Sequence, residues 1–558
     1  MTERPVALVT GCAGGIGRAI ALRLASDGFD VTLNDIASQK ENLETLHNEI
    51  EKLGKKASIY TADVSKEDEV KAMVDKTVEV LGRLDIVSFL PIFPPFDLTF
   101  SGTPISATVE EWDRIFAINA RGIFLCYKYA AIQMVKQGWG GRIIGANSVT
   151  GMRAHGNLCP YSSSKFAVRG LTQSAAMELG PHQITVNAYA PGFIDTPMTR
   201  SVYSGEEFAE SVTISLSYIN YKVALKKIGQ PKDLASLVSY IASPESHFIT
   251  GQSVSDIRYV CGFLVTDDLR VGPSFYISFP GQETNVQPTT MTERPVALVT
   301  GCAGGIGRAI ALRLASDGFD VTLNDIASQK ENLETLHNEI EKLGKKASTY
   351  IADVSKEDEV KAMVDETVKV LGRLDVMVAN AGICPRFSGL MNTTAEEWDH
   401  ILGVNARGVF LCYKYAAMQM IKQGQGGRII GANSIAGMRA LPGTCPYTMS
   451  KFAVRGLTQS AAMELGPHQI TVNAYAPGVY HRYVLILEFP SKVHQSENTS
   501  ALKKIGHPKD LASLVSYLAS PESHFITGQT VSVTQSMYTF LVIDIHFQIS
   551  IDGGRFFN

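Results

Sequence analysis

The sequence is short of the patterns that mark metal-binding and disulfide-stabilised proteins. Its eight cysteines form no C-x-x-C pair, and no His/Cys cluster has the spacing of a zinc site. Six of them are three cysteines that occur once in each half of the chain, at positions 12, 126 and 159 and again at 302, 412 and 445. This usage favours reduced thiols in a cytoplasmic protein, and we expect no metal cofactor.

An excess of charge and long apolar runs are also missing. A net charge of −4 gives no basic surface for nucleic acid or for an anionic membrane. No run of about 18 apolar residues occurs, and the polar start followed at once by Val6–Val9 is unlike a signal peptide. We therefore expect a cytoplasmic protein whose partner is a small molecule, with no nucleic-acid partner and no membrane partner.

What the chain does contain is an internal repeat. Residues 1–58 return unchanged as 291–348, and Lys165–Gly192 returns as Lys451–Gly478. A period of this length is far too long for a solenoid, so the repeat is a duplicated domain. The predicted boundaries are 1–256 for copy one, 257–290 for a linker and 291–558 for copy two.

Each copy opens with a strand, a glycine loop and a helical pattern. Such a loop lets backbone N–H groups approach a diphosphate at the helix N-terminus, although a tight turn alone would also need glycine. A second strand, Val31–Leu33, leads to Asp35, where a carboxylate can bind ribose hydroxyls and repel a 2′-phosphate. This favours NAD over NADP; the competing interpretation is that Asn34-Asp35 is only a turn.

Helical and strand patterns alternate along the rest of copy one. They predict a helix over 41–53 closed by Gly54, a strand over 58–61, a helix over 66–81 ended by Gly82, and a strand beginning at 84–87. This alternation predicts an α/β fold, a doubly wound parallel sheet covered by helices on both faces, once in each copy.

A serine, a tyrosine and a lysine stand at fixed spacing in both copies. Ser148 precedes Tyr161 by 13 residues and Lys165 follows it by four, and Ser434, Tyr447 and Lys451 repeat the set. Tyrosine and lysine at i and i+4 share a helix face, so the ammonium can favour the phenolate. With about one Tyr-x3-Lys expected by chance, the bare pair is weak. The fixed serine, the repetition and the glycine loop together indicate interconversion of a ketone and an alcohol.

These motifs, with Asp63-Val64, Asn380-Ala381-Gly382 and Pro191-Gly192, resemble the short-chain dehydrogenase/reductase family over most of both copies. Within it, Tyr161–Gln173 and the ending Ile551–Asn558 resemble the meso-2,3-butanediol dehydrogenase and diacetyl (acetoin) reductase group. The resemblance implies two tandem Rossmann-like domains, each with a seven-stranded parallel sheet. Family members form dimers or tetramers, so we expect a homo-oligomer or intrachain pairing of the two copies.

The resemblance also implies a role for each matched residue. The implied catalytic residues are Asn119, Ser148, Tyr161 and Lys165 in copy one and Asn405, Ser434, Tyr447 and Lys451 in copy two. The implied cofactor-binding residues of copy one are Gly11, Gly15, Ile16, Gly17, Asp35, Asp63, Val64, Asn119, Tyr161, Lys165, Ile194 and Thr196. Those of copy two are Gly301, Gly305, Ile306, Gly307, Asp325, Asp353, Val354, Asn380, Ala381, Gly382, Asn405, Tyr447 and Lys451. Serine holds the substrate oxygen, tyrosine is the acid/base, lysine binds the nicotinamide ribose, and asparagine supports a proton relay.

Each copy departs from the family pattern where the other keeps it. Copy one has Leu90-Pro91-Ile92 in place of Asn380-Ala381-Gly382, which adds bulk beside the cofactor. Copy two has no threonine after Pro477-Gly478 and carries an insertion near 534–551. The mismatched segments begin and end abruptly, which suggests intron-like sequence read into the protein or two joined genes; a true fusion is the competing interpretation.

The sequence thus predicts an NAD(H)-dependent oxidoreductase that interconverts acetoin or diacetyl and 2,3-butanediol. A 3-oxoacyl-thioester reductase of the same family is the alternative enzyme. A non-catalytic NAD-binding protein is the alternative from another class, because both copies carry damage near the cofactor. We expect activity to come mainly from copy one, since a displaced strand end relaxes more easily than a missing lid is replaced.

Overall fold

The computed structural model describes residues 4–90, 104–192, 194–197, 229–247, 249–255, 294–384, 389–478, 507–524 and 526–533. The linker at 257–290, the segment after Gly478 and the insertion near 534–551 lie outside these residues, as do Pro91 and Ile92. The predicted domain limits at 256 and 291 also lie outside them and stay predictions.

Copy one alternates strands and helices along its described length. Its strands are β1 Val6–Val9, β2 Asp30–Asp35, β3 Ala57–Thr61, β4 Ile86–Phe89, β5 Gly141–Ala146, β6 Ile184–Ala190 and β7 Ser253–Ser255. Its α-helices are α1 Gly15–Ser26, α2 Lys40–Lys52, α3 Glu67–Leu81, α4 Val109–Phe116, α5 Gly122–Gln137, α6 Cys159–Leu179 and α7 Pro231–Ala242.

Copy two repeats this order. Its strands are β8 Val296–Thr300, β9 Asp320–Asp325, β10 Ala347–Ile351, β11 Val376–Ala379, β12 Gly427–Ala432, β13 Ile470–Pro477 and β14 Thr530–Val533. Its α-helices are α8 Gly305–Ser316, α9 Lys330–Lys342, α10 Glu357–Leu371, α11 Gly389–Asn392, α12 Ala395–Leu402, α13 Gly408–Gln423, α14 Cys445–Leu465 and α15 Pro508–Ala519.

The strands form one seven-stranded sheet in each copy, and the predicted fold class is confirmed. The orders are β3-β2-β1-β4-β5-β6-β7 and β10-β9-β8-β11-β12-β13-β14, with parallel pairing throughout. The order reverses beside β1 and β8, so the carboxyl ends of β1 and β4, and of β8 and β11, border a crevice. In sheets of this kind such a crevice binds ligands.

Two boundaries test the sequence interpretation directly. Asp35 is the last residue of β2 and pairs with Thr61 of β3. Asn34-Asp35 is therefore part of a strand and not a turn. Strand β4 begins at Ile86, two residues later than predicted, because the Leu84 N–H donates to the Gln137 side chain instead of to a neighbouring strand (2.9 Å).

The two copies pack against each other through helices, and the expected intrachain pairing is present. Helix α6 lies along α14, and one apolar core cluster contains residues of both copies. Trp112 stacks on Phe410 with ring centroids 4.4 Å apart, and Trp398 meets Phe124 at 5.9 Å. Two ion pairs of 3.0 Å flank these rings; they are Arg121–Asp399 and Arg407–Asp113.

One helical stretch, Val109–Gln137, is long and apolar enough by composition to cross a membrane. Most of this stretch is buried inside the protein, since 72% of its most apolar 18-residue segment is buried. It belongs to the helix layer that joins the two copies, and this packing accounts for its apolar character.

Candidate functional site

The glycine loops lie between the first strand and first helix of each copy. Gly11 and Gly15 have φ values of +60° and +53°, a left-handed region that favours glycine. A side chain at Gly17 would collide with the Gly11 carbonyl, so helix α1 can approach the loop only with glycine there. The matched glycines of copy two are Gly301, Gly305 and Gly307.

The N-terminus of α1 is suited to an anion. Gly14 precedes it and provides no side-chain cap, and no acidic residue lies in the first turn. Its first N–H groups therefore have neither a capping side chain nor a repelling carboxylate, as a diphosphate requires. The side chain of Ile16 packs partly on the core behind the loop, and Ile306 does the same in copy two.

Asp35 ties the end of β2 to the glycine loop. Its carboxylate accepts the Ala13 N–H at 3.0 Å and the Ile36 N–H at 2.9 Å. Burial raises the pKa of Asp35, and the two backbone hydrogen bonds oppose that rise. Asp325 makes the same two bonds, to Ala303 and Ile326. Each oxygen keeps a lone pair with which it can accept a ribose hydroxyl.

Asp63 and Val64 follow β3 at the same edge of the sheet. The Asp63 side chain accepts the Ser65 N–H and hydroxyl, which closes a short turn (2.9 and 2.7 Å). Val64 is buried and lies against Gly122, where an added Cβ would come within 3.0 Å of it. Asp353 and Val354 of copy two are placed in the same way.

Asn119 lies in a π-helical turn, Ala117–Arg121, that interrupts the helix between α4 and α5. It is fully buried, and its amide donates to Ser164 of α6 at 3.0 Å. Asn405 occupies the matching π turn and bonds both Ser450 and the backbone of Ile383. Single π turns are frequent at functional sites. Neither turn has a signal in the sequence.

Ser148, Tyr161 and Lys165 meet beside the end of β5. Ser148 precedes a short 3₁₀ turn and is hydrogen-bonded to the Tyr161 phenol. The Lys165 ammonium lies 5.5 Å from the centre of the Tyr161 ring and donates to the Ala146 carbonyl at 3.0 Å. The predicted set is therefore assembled in one place.

Copy two assembles the same set. The Lys451 ammonium lies 5.6 Å from the Tyr447 ring centre and donates to the Ala432 carbonyl at 2.9 Å. Ser434 precedes a 3₁₀ turn and its hydroxyl accepts the Ala436 N–H. Gly382, at the end of the β11 segment, lies against Lys451, where an added Cβ would come within 3.4 Å of its ammonium.

Burial sets the protonation of the copy-one pair. It lowers the pKa of Lys165 to about 7 and raises the pKa of Tyr161, while the hydrogen bond with Ser148 opposes the rise at tyrosine. The expectation that lysine moves the tyrosine toward the phenolate is thus wrong in direction for this structure. Burial penalises both charged forms more than the pair attracts.

The strand ends after β4 and β11 differ at Leu90 and Asn380, while the predicted intrusion of Pro91 and Ile92 lies outside the described residues. In copy two, the Asn380 amide donates to the Thr300 and Gly301 carbonyls, and the Tyr475 hydroxyl donates to Asn380 at 2.6 Å. In copy one Leu90 stands there, and the buried Tyr189 hydroxyl has no partner among the described residues. Both strand ends are bonded to the first strand through Thr10 or Thr300, but the Asn380 side chain adds bonds to the glycine loop and to Tyr475 that Leu90 cannot make.

The segment after β6 reaches back over the glycine loop. Ile194 is buried and pairs with Gly229, and Thr196 lies beside Gly15, 3.6 Å from where an added Cβ would stand. The predicted cofactor residues of copy one thus surround one crevice. The matching segment of copy two lies outside the described residues.

Comparisons with known proteins agree with this architecture. The family model described as enoyl-(acyl carrier protein) reductase matches residues 11–255 and again residues 301–535. A short-chain dehydrogenase/reductase of Armillaria gallica is 51% identical over 252 residues, which is 44% of this chain and 96% of that protein. The 3-oxoacyl-[acyl-carrier-protein] reductase FabG of Staphylococcus aureus is 42% identical over 242 residues, covering 43% and 97%.

Among solved structures, acetoin dehydrogenase YohF from Salmonella typhimurium is 34% identical, with a TM-score of 0.39, and covers 43% of this chain and 94% of that chain. Each relative spans one copy only. The family model matches each copy once, and the two matches together cover most of the chain, including the residues that the structure gathers at the crevice of each sheet. The chain therefore belongs to the short-chain dehydrogenase/reductase family and carries two oxidoreductase domains in tandem.

Proposed function

We propose that the chain interconverts a small ketone or diketone and a secondary alcohol with NAD(H). The assembly of Ser148, Tyr161 and Lys165 beside the glycine loop is the observation that carries this proposal. A hydroxyl hydrogen-bonded to a phenol, with an ammonium 5.5 Å from the centre of the phenol ring, supplies the groups needed to hold and protonate a carbonyl oxygen. The nicotinamide, when bound, supplies the hydride.

The residues divide the remaining work. Ser148 donates to the carbonyl oxygen and fixes it beside the phenol, and Tyr161 transfers its proton to that oxygen as the alcohol forms. Lys165 then stabilises the tyrosinate, and its pKa of about 7 suits an exchangeable ammonium near neutrality. Asn119, held by Ser164 of the tyrosine helix, extends the polar path by which the proton is replaced.

Asp35 supports the choice of NAD over NADP. Its buried carboxylate lies next to the loop that would hold the diphosphate, where a 2′-phosphate would meet a like charge. Asp325 occupies the same place in copy two. We expect NADH to be preferred in turnover and in binding, and a protein that prefers NADPH would overturn this assignment.

Acetoin, diacetyl and 2,3-butanediol are the favoured substrates on the sequence resemblance. A 3-oxoacyl thioester is the second candidate, because the relatives that match one whole copy include FabG at 42% identity. Steady-state turnover with diacetyl and with a 3-oxoacyl thioester, each with NADH and NADPH, separates the two. Faster thioester reduction with NADPH would replace the first proposal by the second.

Single substitutions identify the working copy and test catalysis itself. Copy one keeps Thr196 over its glycine loop, so we expect it to provide most of the turnover. Tyr161→Phe should lower kcat by about 100-fold or more while leaving NADH affinity nearly unchanged, since the phenol transfers a proton. Tyr447→Phe should have the smaller effect. The reverse order would assign catalysis to copy two, and binding of NADH without any turnover would indicate a pseudoenzyme.

A further inference from the structure

The segments that connect serine to tyrosine touch the opposite copy. We define the Ser–Tyr loops as residues 152–158 in copy one and 438–444 in copy two. The Ala154 N–H donates to Gln459 and the Ala440 N–H donates to Gln173, each at 3.3 Å. Each loop therefore rests on the tyrosine helix, α14 or α6, of the other copy.

The serine that follows each glutamine repeats this exchange, one residue further along the helix. Ser460 donates to the His155 carbonyl at 2.6 Å, and Ser174 donates to the Leu441 carbonyl at 2.9 Å. The contacts are reciprocal, as in an interface with two-fold symmetry, although both halves belong to one chain.

A glutamate closes each set. Glu464 accepts the Asn157 N–H at 2.8 Å, and Glu178 accepts the Gly443 N–H at 3.1 Å. Asn157 and Gly443 both have positive φ, +59° and +72°, which turns the amide toward the carboxylate. Burial raises the pKa of both carboxyls, to about 8 for Glu464, and the hydrogen bonds from the backbone amides oppose that rise.

The two glutamates are not equally bonded. The second oxygen of Glu178 accepts the Leu390 N–H at 2.7 Å, so this carboxylate joins α11 to the Ser–Tyr loop of copy two. Pro104 stands at the position matching Leu390 and has no N–H. The second oxygen of Glu464 is buried without a partner among the described residues.

We propose that Glu178 and Glu464 are positioning residues that act across the copies, each holding the Ser–Tyr loop of the opposite domain. Glu178 holds copy two with two backbone bonds, and Glu464 holds copy one with one. A copy whose cofactor-binding edge is damaged thus still contributes to catalysis, because its glutamate holds the loop that positions the serine and tyrosine of the other copy.

Hydrogen exchange on the full chain tests the proposal without any need for activity. The loops differ in sequence, MRAHGNL against MRALPGT, so their peptides can be told apart. Glu178→Gln places an amide NH₂ against either the Gly443 N–H or the Leu390 N–H, so one of these two hydrogen bonds is lost. The rate of amide hydrogen exchange in 438–444 or in 389–392 should therefore rise about tenfold. Glu464→Gln, the matched control, loses no bond, because its oxygen can still accept from Asn157.

Two further variants keep the test decisive. Glu464→Ala should loosen 152–158 and leave 438–444 unchanged, and Pro104→Leu should slow exchange in 152–158 by giving Glu464 its missing donor. Unchanged exchange in Glu178→Gln would overturn the proposal. An equal rise of hydrogen exchange in both Ser–Tyr loops, in Glu178→Gln or in Glu464→Gln, would also overturn the proposal. A general loss of stability would then explain the rise.

A kinetic measurement extends the test and rests on the proposed function. In a Tyr161→Phe background the remaining turnover reports copy two, and adding Glu178→Gln should raise KM for the carbonyl substrate several-fold more than it lowers kcat. A fall in kcat as large as the rise in KM would contradict a positioning role. Absence of turnover in the parent chain would count against the proposed function alone, since the exchange results stand by themselves.

Discussion

Tyr189 and Tyr475 hold the same place in two nearly identical domains, yet only Tyr475 has a partner. Its hydroxyl donates to Asn380 at 2.6 Å, whereas the Tyr189 hydroxyl is buried and unpaired among the described residues. An unpaired buried hydroxyl costs roughly 1–3 kcal/mol. The same substitution should therefore have opposite effects in the two copies.

We expect Tyr189→Phe to raise the free energy of unfolding by about 1 kcal/mol and Tyr475→Phe to lower it by a similar amount. The second change leaves the Asn380 oxygen without its donor. Urea unfolding of the full chain measures both, with each variant serving as the control for the other. Effects of equal sign would show that Tyr189 has found a partner elsewhere.

The buried Lys165 makes stability depend on pH. Burial lowers its pKa from 10.5 to about 7, so between these values the unfolded chain binds more protons than the folded chain. Stability from this group therefore rises with pH across that window and is lowest below it. In urea unfolding, Lys165→Met should flatten the increase of unfolding free energy with pH that begins near pH 7. Lys451→Met should flatten the increase that begins near pH 8. A slope that both variants leave unchanged would contradict the burial argument.

At the level of elements, the close approach of α6 and α14 depends on two glycines. A Cβ at Gly170 would come within 2.9 Å of the Phe452 ring, and one at Gly456 within 2.9 Å of Phe166. In an ordinary helix, glycine to alanine stabilises by about 1 kcal/mol. Here the sign should reverse, because both rings are fully buried and cannot move aside.

We expect Gly170→Ala and Gly456→Ala each to lower the melting temperature of the full chain by several degrees, since overpacking costs about 1–3 kcal/mol. Gly180→Ala, at a position with open space around it, is the matched control and should change little. A stabilising effect of Gly170→Ala would mean that the helices separate more easily than their packing indicates.

The elements show how far the sequence could lead. Helix α3 ends where Gly82 predicts it, because a left-handed residue with φ of +88° stops the helix. The π turn at Asn119 could not be predicted, since a shift to i→i+5 bonding has no characteristic residues. The contacts of Glu178 and Glu464 were missed because their partners are backbone amides, which every residue carries. The rise in the pKa of Tyr161 depends on burial from neighbours distant in sequence.

For the whole molecule, the shared core predicts that both copies unfold together. Trp112 is buried and stacks on Phe410 of the other copy. Trp112→Ala should cost about 3–5 kcal/mol and lower protection in both α4 and α13, as hydrogen exchange would report. Trp139→Ala, at a tryptophan that is 57% exposed, is the control and should cost far less. Loss of protection confined to copy one would mean that the copies are independent folding units.

Pairing within one chain has an evolutionary consequence. Two separate identical subunits share one gene, so a substitution in the cofactor edge damages every active site of an oligomer at once. Here one strand end carries Leu90 while the other keeps Asn380, because each copy has its own stretch of sequence. Selection can then preserve the interface of a domain after relaxing its catalysis. The chain thus permits a division of labour that a symmetric homodimer does not allow.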